Sequence, residues 1–157
     1  MRYSRKQGIG LLEVVIGAAI IATALVGILS SFNISVHGGL ANTQKIQAAL
    51  YAEEGLEAVR YLRDSSWTTN IAPLASSSAY YLDWNNGWTL STTISSNDGF
   101  TRVIIFDDVY RDDVSKEIVS ANPSASFDSN TRHVTAQVVW EDGTTTIMTY
   151  LTNLLDN

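Results

Sequence analysis

From Ile9 to Leu29 the chain reads IGLLEVVIGAAIIATALVGIL, a run of 21 residues in which only Glu13 and Thr23 are neither apolar nor glycine. A helix needs about 20 such residues to cross a bilayer. Ahead of the run, residues 1–8 (MRYSRKQG) carry Arg2, Arg5 and Lys6 and no acid, and after Glu13 no formal charge recurs until Lys45. This basic flank predicts a single-pass segment with its N-terminus in the cytoplasm and the rest of the chain outside. A secretory signal peptide shares the basic start and the apolar run. Two features oppose that reading: the run is too long, and Glu13 would cost about 2–3 kcal/mol near a bilayer centre. A carboxylate kept in such a place points to a partner.

Composition narrows the rest. At 157 residues the chain has room for one ordinary domain and an appendage. It has no cysteine and only two histidines, His37 and His133, which excludes disulfides, thiolate metal sites and a Cys nucleophile and makes a His-based metal site or triad hard to assemble. Ten basic residues against 16 acidic ones leave a formal charge of −6. No basic footprint is available for a nucleic acid, and no direct binding of one is expected.

The order of residues at the N-terminus carries a family resemblance. Gly8, then Ile9-Gly10-Leu11-Leu12-Glu13, then Val14-Val15-Ile16 resembles the cleavage motif of type IV prepilins and pseudopilins, and the match covers about residues 1–35. The resemblance implies cleavage by a prepilin peptidase between Gly8 and Ile9 on the cytoplasmic face, often followed by N-methylation of the new amine. The families most often place Phe or Met after the cut, where this chain has Ile9. The implied partners are the peptidase, an inner-membrane assembly platform, membrane lipid before assembly, and other pilin subunits met through the N-terminal helix in an extracellular or periplasmic filament. Cleavage would create an α-amine four residues from the Glu13 carboxylate. Pairing of Glu13 with the Ile9 amine of a neighbour would offset the desolvation of a lone acid and set axial register.

Beyond the apolar run, Ile46, Ala49, Ala52, Leu56, Val59 and Leu62 recur at helical spacing with Gln47, Glu53, Glu54, Glu57, Arg60, Arg63 and Asp64 between them. The expected organisation is therefore a leader (1–8), a hydrophobic transmembrane and assembly helix (9–36), its amphipathic continuation (37–64) and a head (65–157). Unbroken from Ile9 to Asp64, the helix would be about 84 Å long. Both prolines, Pro73 and Pro123, lie outside it, so Gly27 and the pair Gly38-Gly39 are its expected weak points. His37, beside that pair, has no neighbours suited to a switch or a ligand set and is read as structural.

From Trp67 onward turn signals replace helical periodicity. Asn85-Asn86-Gly87 predicts a hairpin between residues 80–84 and 88–94, and Asn97-Asp98-Gly99 a second turn into 100–110. Val103-Ile104-Ile105-Phe106, apolar on both faces, predicts a central strand. Glu117-Ile118-Val119 predicts a short strand in the long connection 112–131, and Ser76-Ser77-Ser78 and Ser124–Asn130 read as exposed segments open to glycosylation or partner contact. Taking Asp142-Gly143 as a two-residue turn sets Trp140 against Thr145 and Val134 against Leu151, with His133 on the outer face. The fold class is α+β: a long N-terminal helix packed on a small antiparallel sheet, the architecture the resemblance also implies.

Three groups in the head are candidates for chemistry. Asp108, Asp112 and Asp113 supply oxygens of the kind calcium takes, although their spacing matches no EF-hand and Arg111 intrudes. Paired carboxylates also suggest glycosidase chemistry, but nothing around them separates two pKa values. Trp84 and Trp88, flanking one turn, are candidates for a binding surface. The sequence thus favours a non-enzymatic subunit, a minor pilin or pseudopilin. A singly anchored adhesion module that never polymerises and a secreted enzyme with an atypical signal peptide remain as alternatives.

Overall fold

The computed structural model describes residues 9–155. The chain divides into two compact units, residues 1–43 and 44–157. Within the first, every described residue belongs to helix α1, whose bounds are Ile9–Ser65. The helix passes through Gly38-Gly39 without interruption, so the expected break there does not occur. Each glycine costs about 1 kcal/mol against alanine, a penalty too small to interrupt a helix of 57 residues.

In the second unit, α1 ends where Ser66 N–H donates to the Leu62 carbonyl (3.1 Å) and the Asn70 side-chain amide donates to the same oxygen (3.0 Å). Ser66 caps a short helix α2 (Trp67–Asn70), its Oγ accepting from Thr69 N–H. Seven strands follow: β1 (Ser78–Trp84), β2 (Trp88–Ser91), β3 (Ser96–Asn97), β4 (Phe100–Asp112), β5 (Ile118–Val119), β6 (Ala125–Trp140) and β7 (Gly143–Thr152). All pair antiparallel, in the order β2-β1-β4-β6-β7, with β3 and β5 on β4. The fold is α+β, and β4 is central as expected.

The core lies between the sheet and the face of α1 formed by Ala48, Ala52, Leu56, Val59 and Leu62. Small residues at one end let the helix approach closely. A Cβ at Gly55 would sit 2.9 Å from Arg102 Cδ and 3.1 Å from Ile104 Cδ1, so glycine is needed there by contact rather than by conformation. Ile46, expected on this face, is 63% exposed. At 100° per residue it lies on the far side of the helix from Ala48, and a row of three-residue spacings drifts off any fixed face.

From the sheet, Ile104 and Phe106 of β4, Val134, Ala136 and Val138 of β6 and Leu151 of β7 close the core. Tyr80 stands edge-on to Phe106, and its hydroxyl accepts from Ala75 N–H (2.8 Å). Two predicted turns form as read. Asn86 takes φ +57° between the paired Trp84 and Trp88, and Asp98-Gly99 takes φ +49° and +82° between Asn97 and Phe100.

The last hairpin differs from expectation. Trp140 pairs with Gly143 and Val134 with Thr149, so the turn residues are Glu141-Asp142 and the register is shifted by two. The shift preserves the inward face, because side chains alternate with period two. Gly143 serves contact instead of a left-handed turn: a Cβ there would lie 2.8 Å from Trp140 Cζ2. β6 also begins at Ala125, earlier than expected. Its first half pairs with the end of β4 after an irregularity between Asp108 and Tyr110, which absorbs Ser124–Asn130 almost entirely into the sheet.

Candidate functional site

The surface of α1 in the first unit is the site that the sequence singles out. Leu11, Leu12, Ile20, Ile21, Leu25 and Leu29 are all more than half exposed, and the most apolar stretch buries nothing within the protein. Between Val14 and Leu29 the single hydroxyl belongs to Thr23, and it is absorbed locally, donating to the carbonyls of Ala19 (3.0 Å) and Ile20 (2.9 Å). The helix therefore satisfies its own polar groups, as a segment in hydrocarbon must. It is long and apolar enough to cross a membrane.

Glu13 is the exception on that surface. It is exposed one turn into the helix, and among the described residues no cation pairs with it. Its position four residues after Ile9 puts it on the same helix face, about 6 Å further along the axis. Ile9 is the first residue of α1. Gly8, the expected cleavage position, lies outside the described residues.

The calcium candidate does not assemble. Asp108 is ion-paired with buried Arg132. Asp112 Oδ1 accepts from Val114 N–H (2.9 Å) and Ser115 N–H (2.8 Å). These bonds from Ser115 and Val114 hold its carboxyl below the usual range. Asp113 Oδ1 accepts from Ser126 Oγ (2.6 Å). Asp108 and Asp113 are thus engaged by residues of β6 and Asp112 by its own loop, and among the described residues no group of three His, Asp or Glu side chains could hold a metal. His133, on the outer sheet face, has Nδ1 3.6 Å from Asp107 Oδ2 and stacks obliquely on Tyr150.

Trp84 and Trp88 do come together, their rings 75° apart with centroids at 5.2 Å. They border a cleft of about 500 Å³ lined also by Tyr51, Glu54, Asn97, Phe100 and Arg102. Arg102 organises it. Its guanidinium lies 5.2 Å from the Trp88 ring centre and donates through Nη1 to Glu54 Oε2 (2.8 Å) and to the Tyr51 carbonyl (3.2 Å). Reasoning from sequence missed Arg102, although a signal was present: it shares strand parity with inward-facing Phe100 and Ile104, where a charge needs a partner.

No family model, curated protein or solved structure matches this chain.

Proposed function

We propose that the chain is a structural, non-enzymatic subunit of a type IV pilus or related pseudopilus, a minor pilin or pseudopilin, cut after Gly8 and assembled through α1. One observation carries the reading: a helix whose apolar surface is uncovered along residues 10–36, marked by a single carboxylate five residues after a glycine that ends a basic leader. Lipid covers that surface before assembly and the helices of neighbouring subunits cover it afterwards. In such a bundle the Glu13 carboxylate is paired by the Ile9 amine of a neighbour, which fixes the axial step between subunits. The basic leader keeps residues 1–8 in the cytoplasm, within reach of the peptidase, while the head faces outward.

Intact-mass measurement of the membrane-extracted protein, with and without a co-expressed prepilin peptidase, tests this. Loss of residues 1–8 only when the peptidase is present is the expected result. An uncut chain would favour a fixed anchor carrying a binding module, and cleavage beyond Leu29 a secreted protein. Breaking a buried ion pair costs about 3–5 kcal/mol, so Glu13→Ala should be processed normally yet be missing from sheared filaments. Recovery of the variant in filaments at the parental level would end the register role.

A further inference from the structure

The cleft between the first hairpin and α1 has the makings of a ligand site. Trp84 is 67% exposed, although an indole is among the largest apolar surfaces a fold can bury. In its edge-to-face contact with Trp88, at most one Trp84 face is covered, so the other stands open. Beside it the Asn97 amide and Ser95 hydroxyl make no side-chain hydrogen bond among the described residues. The cleft volume of about 500 Å³ falls in the range of small-ligand sites.

We propose that this cleft binds a neutral pyranose unit of a glycan, stacked on the open Trp84 face with its hydroxyls on Asn97, Ser95 and Glu54. The axial C–H groups of a sugar ring carry partial positive charge and suit the negative face of an indole, and the rim supplies both donors and acceptors. Competing ligand classes fit less well. An aromatic cage for a cation needs free ring faces, and the Arg102 guanidinium already occupies one at Trp88. An anionic ligand would meet Asp83 and Glu54 at the cleft, and Arg102 is already neutralised by Glu54. Sugar binding is independent of polymerisation, so it can fail while the filament reading survives, and the reverse.

The test is a tryptophan-fluorescence titration of the full chain in polyoxyethylene micelles, chosen because they carry no sugar headgroup. Lactose, cellobiose, chitobiose and N-acetyllactosamine are the probes. At least one should shift the emission saturably. Trp84→Ala should weaken that binding by about tenfold or more, Trp84→Tyr by a few-fold only, and Asn97→Ala by about fivefold, with unchanged circular dichroism. Absence of a saturable response to all four sugars, equal affinity in Trp84→Ala, or heparin displacing the bound sugar would each overturn the proposal.

Discussion

Helix α1 holds two surfaces governed by different rules. Residues 48–62 carry a narrow buried face of alanine, glycine, leucine and valine, flanked by Glu53, Glu54, Glu57 and Arg60 in contact with water. Residues 10–36 are apolar almost all round, with no face selected. Both are helical. The difference lies in where the partner comes from. The buried face of residues 48–62 is complementary to a sheet encoded in the same chain, down to a glycine opposite Ile104. Among the described residues the most apolar part of the first stretch buries none of its surface, and its length and composition suffice to cross a membrane.

That contrast can be broken most sharply in the core. Phe106 is fully buried between α1 and the sheet, and Phe106→Ala should destabilise the head by about 3–5 kcal/mol. Ile20→Ala deletes a comparable apolar side chain from an uncovered surface and should leave the same transition unmoved. Urea unfolding of the full chain in micelles, followed by tryptophan emission, measures both. A similar loss from Ile20→Ala would mean that the head depends on the apolar segment.

The glycines sharpen the comparison at lower cost. Gly38 has nothing within 4 Å of an added Cβ, and Gly38→Ala should raise helix stability by about 1 kcal/mol. Gly55→Leu forces a side chain against Arg102 and Ile104 and should destabilise the head by about 2–3 kcal/mol despite the better helix former. Thermal melts read by circular dichroism would show opposite signs for two substitutions in one helix. The same sign for both would remove the claim that only one stretch is fitted to the sheet.

How much of this was legible in the sequence follows from the range of each interaction. The apolar run, the α+β class, the central strand and the turns at Asn86 and Asp98-Gly99 are set by neighbours a few residues apart, and all were readable. The hairpin register was misread because Asp142-Gly143 is a strong local turn signal, whereas the steric demand of the Trp140 ring on Gly143 exists only in three dimensions. Ile46 was misplaced for a related reason: helical spacing gives a face only after the sheet has chosen which one. Of the candidate sites, the pairing of Trp84 with Trp88 was visible from the turn between them. The Arg102 clamp, which draws Glu54 into the same cleft from 48 residues away, was not. The three aspartates looked like one cluster because they are close in sequence, yet each is held by a different neighbour.

The smallest expected effect separates the two regions by acid. At the far end of β4, Arg111 Nε donates to Asp128 Oδ2 (2.6 Å). Burial pushes the Asp128 carboxyl upward, but hydrogen bonds from Arg111, Thr131 and the Asn130 backbone outweigh it and hold the group below its ordinary value of 3.8. A carboxylate with a lowered folded-state pKa stabilises the fold above its unfolded value, and that contribution is lost as pH falls from about 3.8 through the folded value. The head should therefore weaken in acid, beginning where β4 meets the first half of β6, while the helicity of residues 10–36 holds. Asp128→Asn should cost about 1 kcal/mol near neutral pH and flatten the dependence of head stability on pH below 4. Urea unfolding at pH 7 and pH 3 reads both numbers, and an unchanged acid slope in Asp128→Asn would place the acid sensitivity of the head elsewhere.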